Sequence, residues 1–423
     1  MSLENIRLTT LDSGLIVATD SMSTVETASL GVWVNAGTRH EAPEINGISH
    51  MLEHMAFKGT ERRTARAIAE EIEAVGGHLN AYTSREHTAY YAKVLKEDKG
   101  LAMDIIADIL QHSSLDAEEL AREQAVVVQE ISQAIDTPDD IIFDHFQSTA
   151  FPDQAVGRPV LGTADLVRGM TRDTLSGYLR DNYGPRRMIL AAAGNLDHDE
   201  VVEAAQKQFT ALPPDNEAPE DKAVYRGGDY REERDLEQVH VVLGFNGVSY
   251  DDDDFYSASV LSTLLGGGMS SRLFQEVREK RGLVYSVYSF TSSYNDGGLF
   301  AIYAGTGEDE VAEVIPVICD EVMKVTQGIL PEELQRARAQ LKASILMSLE
   351  STSSRCEQIA RQMLAYGRPV SAEEVVAKVE AIDEEAVVRV AERLFRSHAS
   401  PTFAAIGPLA NVESFDAIRA RLG

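Results

Sequence analysis

Two histidines four residues apart, His50 and His54, with Glu53 between them, are the residues of this 423-residue chain best equipped for chemistry. They lie in the stretch S-H-M-L-E-H-M-A-F-K-G-T, from Ser49 to Thr60. On a helix, that spacing stacks two imidazoles on one face, about 5–6 Å apart at Cβ, close enough to grip one metal ion. Glu53 projects toward the same side, near the ion without having to ligate it. This suits a carboxylate that takes a proton from a water the metal has activated. The order H-x-x-E-H mirrors the H-E-x-x-H metal-binding signature. The competing reading is a polar patch on a solvated helix.

Two histidines are too few for a catalytic zinc, which takes three protein ligands and leaves a position for water. A helix expected over Ala117–Ile135 offers Glu123 and Glu130, two turns apart on a stripe with Val126, Val127 and Ala134. A carboxylate on an apolar face is costly unless it is paired or bound to metal. One of the two can therefore ligate while the other supports it. The alternative is a pair of buried acids matched by Arg or Lys from elsewhere. The only cysteines, Cys319 and Cys356, cannot build a disulfide framework or a cysteine zinc site, so histidine and carboxylate must hold any zinc.

The elements that must position these residues follow from periodicity. Ile6–Thr10 and Leu15–Ser21 read as strands around the turn Asp12-Ser13-Gly14, and Ala28–Asn35 as a third strand. The motif helix comes next, then a helix over Thr64–Val75 stopped by Gly76-Gly77, then a hairpin over His78–Val94. Helices at about 99–111, 117–135 and 138–150 precede an apolar strand, Met188–Ala193, and a closing helix from Asp197. The Pro-rich, charged stretch from Ala211 to Lys222 breaks all periodicity and reads as a linker. Beyond it the same order returns, with no histidine pair and with Asp251 to Asp254 and Gly266 to Gly268 at the equivalent place. The expected fold is α+β, with two homologous domains, each a mostly antiparallel sheet packed with helices. They are expected at residues 1–212 and 223–423, joined by a linker at 213–222.

The motif, with Glu130 placed 76 residues after His54, resembles the inverzincin zinc peptidases, among them pitrilysin, insulin-degrading enzyme and the mitochondrial processing peptidases. The M-A-F-K-G-T tail, N-A-Y-T from Asn80 to Thr83, and S-R-L-F-Q-E-V-R-E-K-R-G-L-V-Y-S-V from Ser271 to Val287 carry the likeness further. It covers both halves, and the length is similar to the short branch, in which two chains of two domains each close as a clamshell. The resemblance implies that His50, His54 and Glu130 hold zinc, that Glu53 activates water and that Glu123 supports the site. It also implies that Asn80 and Ala81 lie on an edge strand that pairs with an extended peptide, a sequence-tolerant mode of binding. Arg278 and Tyr285 would hold the substrate backbone and the developing oxyanion; read alone, they are a surface Arg and a strand Tyr. The cluster Gly266 to Gly268 is short beside the long glycine-rich loop of the non-catalytic mitochondrial subunit, which departs from presequence recognition. The intact ligand set departs from the inactive relatives of respiratory complexes.

The resulting expectation is a zinc-dependent endopeptidase acting on peptides or unfolded polypeptides as a homodimer. The alternative is a non-catalytic or partner-activating subunit of a heterodimeric processing peptidase. With 68 acidic against 39 basic residues, the net charge of −29 excludes a nucleic-acid surface and favours cationic peptides. No run of 18 apolar residues occurs, and the N-terminal M-S-L-E-N-I-R-L lacks a basic start and an apolar core. The expectation is thus no membrane span and a cytoplasmic location.

Overall fold

A computed structural model describes residues 3–216, 221–397 and 399–423. Part of the expected linker, 217–220, lies outside the described residues. The chain forms two compact units, each discontinuous in sequence. The first comprises Met1–Ser132, Arg158–Asp221 and Leu346–Glu373; the second comprises Gln133–Gly157, Lys222–Ile345 and Glu374–Gly423.

The first unit is built on six strands: β1 (Ile6–Thr10), β2 (Ile16–Ser21), β3 (Thr27–Val34), β4 (His78–Thr83), β5 (Thr88–Leu95) and β6 (Met188–Gly194). Their order is β1-β2-β6-β3-β5-β4, and only β2 and β6 run parallel. Both faces of β3 are buried. Leu30, Val32 and Val34 join a core with the helices α1 (Ile48–Ala56), α2 (Ala65–Ala74) and α3 (Lys99–Gln111). Trp33 points to the opposite face, where Cys356, Ile359, Ala360 and Met363 cover it from the helix Thr352–Tyr366.

In the second unit the strands β7 (Gly228–Glu233), β8 (Val239–Asn246), β9 (Val284–Ser293), β10 (Gly298–Thr306) and β11 (Thr402–Gly407) are ordered β7-β11-β8-β10-β9. Here too one pair, β7 with β11, is parallel and the others are antiparallel. Strand for strand, this is the pattern β2-β6-β3-β5-β4, so the repeat expected from sequence is a repeat of topology. The helices Phe255–Gly266, Val311–Val325 and Glu384–Phe395 cover one face of this sheet. After α4 (Ala117–Ile135), α5 (Pro138–Ala150) covers the other with Ile142 and Phe146.

The discontinuity of the units has a simple cause: α5 comes from the first half of the sequence yet packs in the second unit, and Thr352–Tyr366 does the reverse. Strand β7 is not evident in the sequence because D-Y-R-E-E alternates poorly; it is an edge strand whose charges discourage further pairing.

Ile359 is fully buried in the layer that covers Trp33. Ile359→Ala should cost about 2–5 kcal/mol in urea unfolding. A loss below about 1 kcal/mol would show that the sheet does not depend on this helix.

Candidate metal centre

Helix α1 separates its two jobs by stripe. Ile48, Met51, Leu52, Met55 and Ala56 are buried at helical spacing, which leaves His50, Glu53 and His54 together on the adjoining face. Gly47 adopts φ +95° at the helix start, where a Cβ would lie 2.7 Å from the Leu161 carbonyl oxygen. The first-turn amides are capped from a distance. Buried Glu41 accepts from the N–H groups of Gly47 and Ser49, at 2.8 and 2.9 Å, and from Asn46 Nδ2 at 2.8 Å. Burial raises the Glu41 pKa, and those three donors oppose the rise.

Helix α4 brings the third group. Glu130 Oε2 lies 3.6 Å from His50 Nε2 and 3.5 Å from His54 Nε2, and the ligand atoms of the three residues fall within 4.8 Å of one another. Tetrahedral ligands about 2.0–2.1 Å from a zinc ion stand about 3.3 Å apart, so both separations from Glu130 suit a shared zinc ion. The chemistry of the donors also fits. His50 is held neutral, its pKa lowered to about 4 by burial and then by His54 nearby. Its Nδ1 is buried without a partner among the described residues, and this is the nitrogen that carries the hydrogen when Nε2 ligates.

Glu123 does not join that cluster. Its Oε2 accepts from His54 Nδ1 at 2.9 Å and its Oε1 from Lys58 Nζ at 2.7 Å. The alternative of a buried acid matched by a cation therefore describes Glu123, whereas Glu130 is half-buried and faces the histidines. The expected stripe needs one correction. The buried line of α4 is Leu120, Glu123, Val127 and Ile131, and Val126 lies exposed. Position 126 sits about 40° from 130 and about 100° from 127 around a helix, which turns it out of that line.

Glu53 accepts a hydrogen bond of 2.7 Å from the Thr83 hydroxyl. Burial raises its pKa, against the pull of Thr83 and His54, and Glu130 adds to the rise. Thr83 ends β4, one of the two edge strands of the first sheet, and Asn80 and Ala81 lie on the same strand. Asn80 is exposed, and its Oδ1 accepts from the Ala81 N–H at 2.9 Å. Thus His50, His54, Glu130, Glu53 and Glu123 come together, with the strand of Asn80 and Ala81 tied to them through Thr83.

Arg278 and Tyr285 belong to the second unit and meet each other there. The Arg278 guanidinium lies 5.7 Å from the Tyr285 ring centre and 4.8 Å from that of Phe274. Arg278 sits on a π-helical turn, Phe274–Glu279. Tyr285 is the extra residue of a β-bulge: Gly305 pairs with Ser286 and Thr306 with Val284. The bulge leaves the ring 77% exposed, beside the buried Val284 and opposite the fully buried strand β10.

Residues 16–164 match the family described as insulinase, peptidase family M16, and residues 169–341 match the peptidase M16 inactive domain. The chain belongs to peptidase family M16. It is 39% identical to a protein of Rickettsia bellii named an uncharacterised zinc protease, over 96% of this chain and 98% of that one. A Bacillus subtilis protein of the same description is 38% identical, over 97% and 100%. A probable mitochondrial-processing peptidase subunit beta of Arabidopsis thaliana is 39% identical, over all of this chain and 82% of that one. A crystal structure of a protease from Helicobacter pylori shares the fold with a TM-score of 0.90 at 23% identity, over 95% and 99%. In this M16 chain the metal-type cluster lies within the segment matched by the first description.

Lys58, Thr83 and Glu41 have roles in this geometry that residue type and spacing do not announce. Lys58 and Thr83 lie inside the family-like words M-A-F-K-G-T and N-A-Y-T, which is the one available signal. Glu41 has none.

Because the fold holds His50 neutral, the unfolded chain binds a proton there first as pH drops. The His50 contribution to stability should therefore be full above about pH 6.5 and decline as pH falls toward 4. Chelator-treated wild type should lose denaturant resistance across that window more steeply than His50→Gln. Parallel pH profiles for the two proteins would refute the assignment.

Proposed function

We propose that the chain is a zinc-dependent endopeptidase that cleaves peptides or unfolded polypeptides. The observation that carries this reading is the convergence of His50 Nε2, His54 Nε2 and Glu130 Oε2, with Glu53 beside them on the same helix. When bound there, zinc supplies Lewis-acid activation of a water and of the scissile carbonyl. Glu53 is the base. Its raised pKa lets one Oε take the water's proton and later return it to the leaving amine. Thr83 fixes the other end of that carboxylate and ties it to the edge strand on which an extended substrate would pair. Asn80 and Ala81 present backbone there. Tyr285, as the family resemblance implies, would donate its phenol to the developing oxyanion, and Arg278 would hold the substrate backbone.

We further propose that the active form is a homodimer. The short branch of the family, which this chain resembles, pairs two chains of two domains, so Arg278 and Tyr285 would come from the partner subunit. The Arabidopsis relative's name as a processing peptidase subunit favours a second reading, a heterodimer in which this chain is the metal-bearing partner.

Glu53→Gln should keep zinc near one per chain and abolish hydrolysis, whereas Glu130→Gln should lose zinc affinity sharply because the anionic ligand is gone. Elemental analysis beside a peptide-digest assay separates the two. Loss of zinc from Glu53→Gln, or normal zinc in Glu130→Gln with loss in Glu123→Gln, would overturn the assignment.

The shared-site arrangement predicts complementation. Dissociated Glu53→Gln and Tyr285→Phe proteins, each inactive alone, are mixed and reassociated. Random pairing makes about half the dimers mixed, each with one intact site, so activity should return to about a quarter of wild type. Confirmed subunit exchange with no recovery would sink the shared-site model. A zinc-loaded wild type that is idle until a second, different chain is added would favour the heterodimer.

A further inference from the structure

Among the described residues, Lys58 is a cation placed next to a cluster that is to receive a cation, which is the opposite of what direct electrostatics recommends. Its Nζ lies 2.7 Å from Glu123 Oε1, and the other oxygen of that carboxylate lies 2.9 Å from His54 Nδ1. Glu123 is nearly fully buried, so its charge must be matched locally, and its two oxygens face two different partners.

Lys58 is held in place by a tightly bonded loop. Its own N–H donates to the Met55 carbonyl, which continues α1 by a turn. Gly59 follows with φ +117°, and the chain folds back with the Thr60 N–H on Arg63 O and Ser114 N–H on Gly59 O. The Thr60 hydroxyl donates to Asp108, and the Arg63 guanidinium bridges Asp104, Asp108 and Glu71. Asp108, buried in α3, anchors the whole turn. The loop therefore delivers the lysine to one fixed place, with its ammonium against α4.

We propose that Lys58 is a positioning residue for the metal centre: it pins one oxygen of Glu123 so that the other fixes the ring and tautomer of His54, leaving Nε2 as the ligand. This rests on the zinc reading above. A carboxylate that orients a metal-ligating histidine through its second nitrogen contributes tenfold to a hundredfold in metal affinity, and Lys58 acts through that carboxylate. The geometry makes the sign decisive. If Lys58 acted only through space, removing its positive charge would tighten zinc binding. Acting through Glu123, its removal weakens zinc binding.

The experiment is competition for zinc between a calibrated chelator and wild type, Lys58→Met, Lys58→Gln, Lys58→Arg, Glu123→Gln and the double variant Lys58→Met/Glu123→Gln. Lys58→Met should bind zinc about tenfold more weakly, while its metal-free melting curve stays cooperative. Should Lys58→Met not fold, Lys58→Gln serves in its place. Lys58→Arg, which can also pair with the carboxylate, should recover most of the loss. The double variant should be no weaker than Glu123→Gln alone, because both changes cut the same chain of contacts. A second readout is the His54 Nδ1 proton in the NMR spectrum. It should be downfield and slow to exchange in wild type, lost in Glu123→Gln and broadened in Lys58→Met. Unchanged or tighter zinc binding in Lys58→Met, or additive losses in the double variant, would overturn the proposal. Failure of the wild type itself to bind zinc would instead overturn the reading on which it rests.

Discussion

Helix α1 has nine residues, too few to persist alone, yet it must hold two ring nitrogens to within a few tenths of an ångström. Its rigidity is therefore imported. The apolar stripe from Ile48 to Ala56 is locked into the core of the first unit. The N-terminus is capped by a buried carboxylate from outside the helix, and Ser49 reaches Tyr178 at 2.9 Å. At the other end, the loop from Phe57 to Arg63 is bonded to α3 and to the chain at Ser113 and Ser114. With both ends fixed, the only rotation left to the ligands is about their own side-chain bonds. Glu123 removes that freedom for His54, and burial restrains it for His50.

What could be read from the sequence, and what could not, divides along the same line. Spacing within one helix is a local property, so His50, Glu53 and His54 were legible as a group. Glu130 was legible as one of two acids on a partly apolar helix, but physics alone left its role interchangeable with that of Glu123. The geometry separates them because one faces two Nε2 atoms and the other a Nδ1 and an ammonium. Lys58 and Thr83 act on partners 65 and 30 residues away, and no periodicity encodes such pairings. The same holds for the fold. Strand order repeats in both halves and hairpins announce themselves, but an amphipathic helix does not say which sheet will receive it. For that reason the destinations of α5 and Thr352–Tyr366 were not evident.

The repeat lets one scaffold carry two different local departures from regular structure. The helix Phe255–Gly266 holds the place in the second sheet's order that α1 holds in the first. Most of its residues are buried, Val260, Leu261, Leu264 and Leu265 together with Ser257 and Ser262, and it carries no metal-type ligand. A helix buried on most of its circumference has no face left for ligands. In this half the special feature lies instead on the hairpin, where the bulge at Tyr285 breaks the alternation that would have sent the ring into a packed face. Strand β4, at the same place in the first sheet, has no such bulge and keeps its register with β5 throughout. Each half thus departs from regular structure at a different point. In the first, polar groups interrupt the amphipathic pattern of two helices. In the second, an extra residue interrupts a strand. A metal centre needs side chains converging from two rigid rods, which helices supply. An exposed phenol needs only one strand to let go of its register.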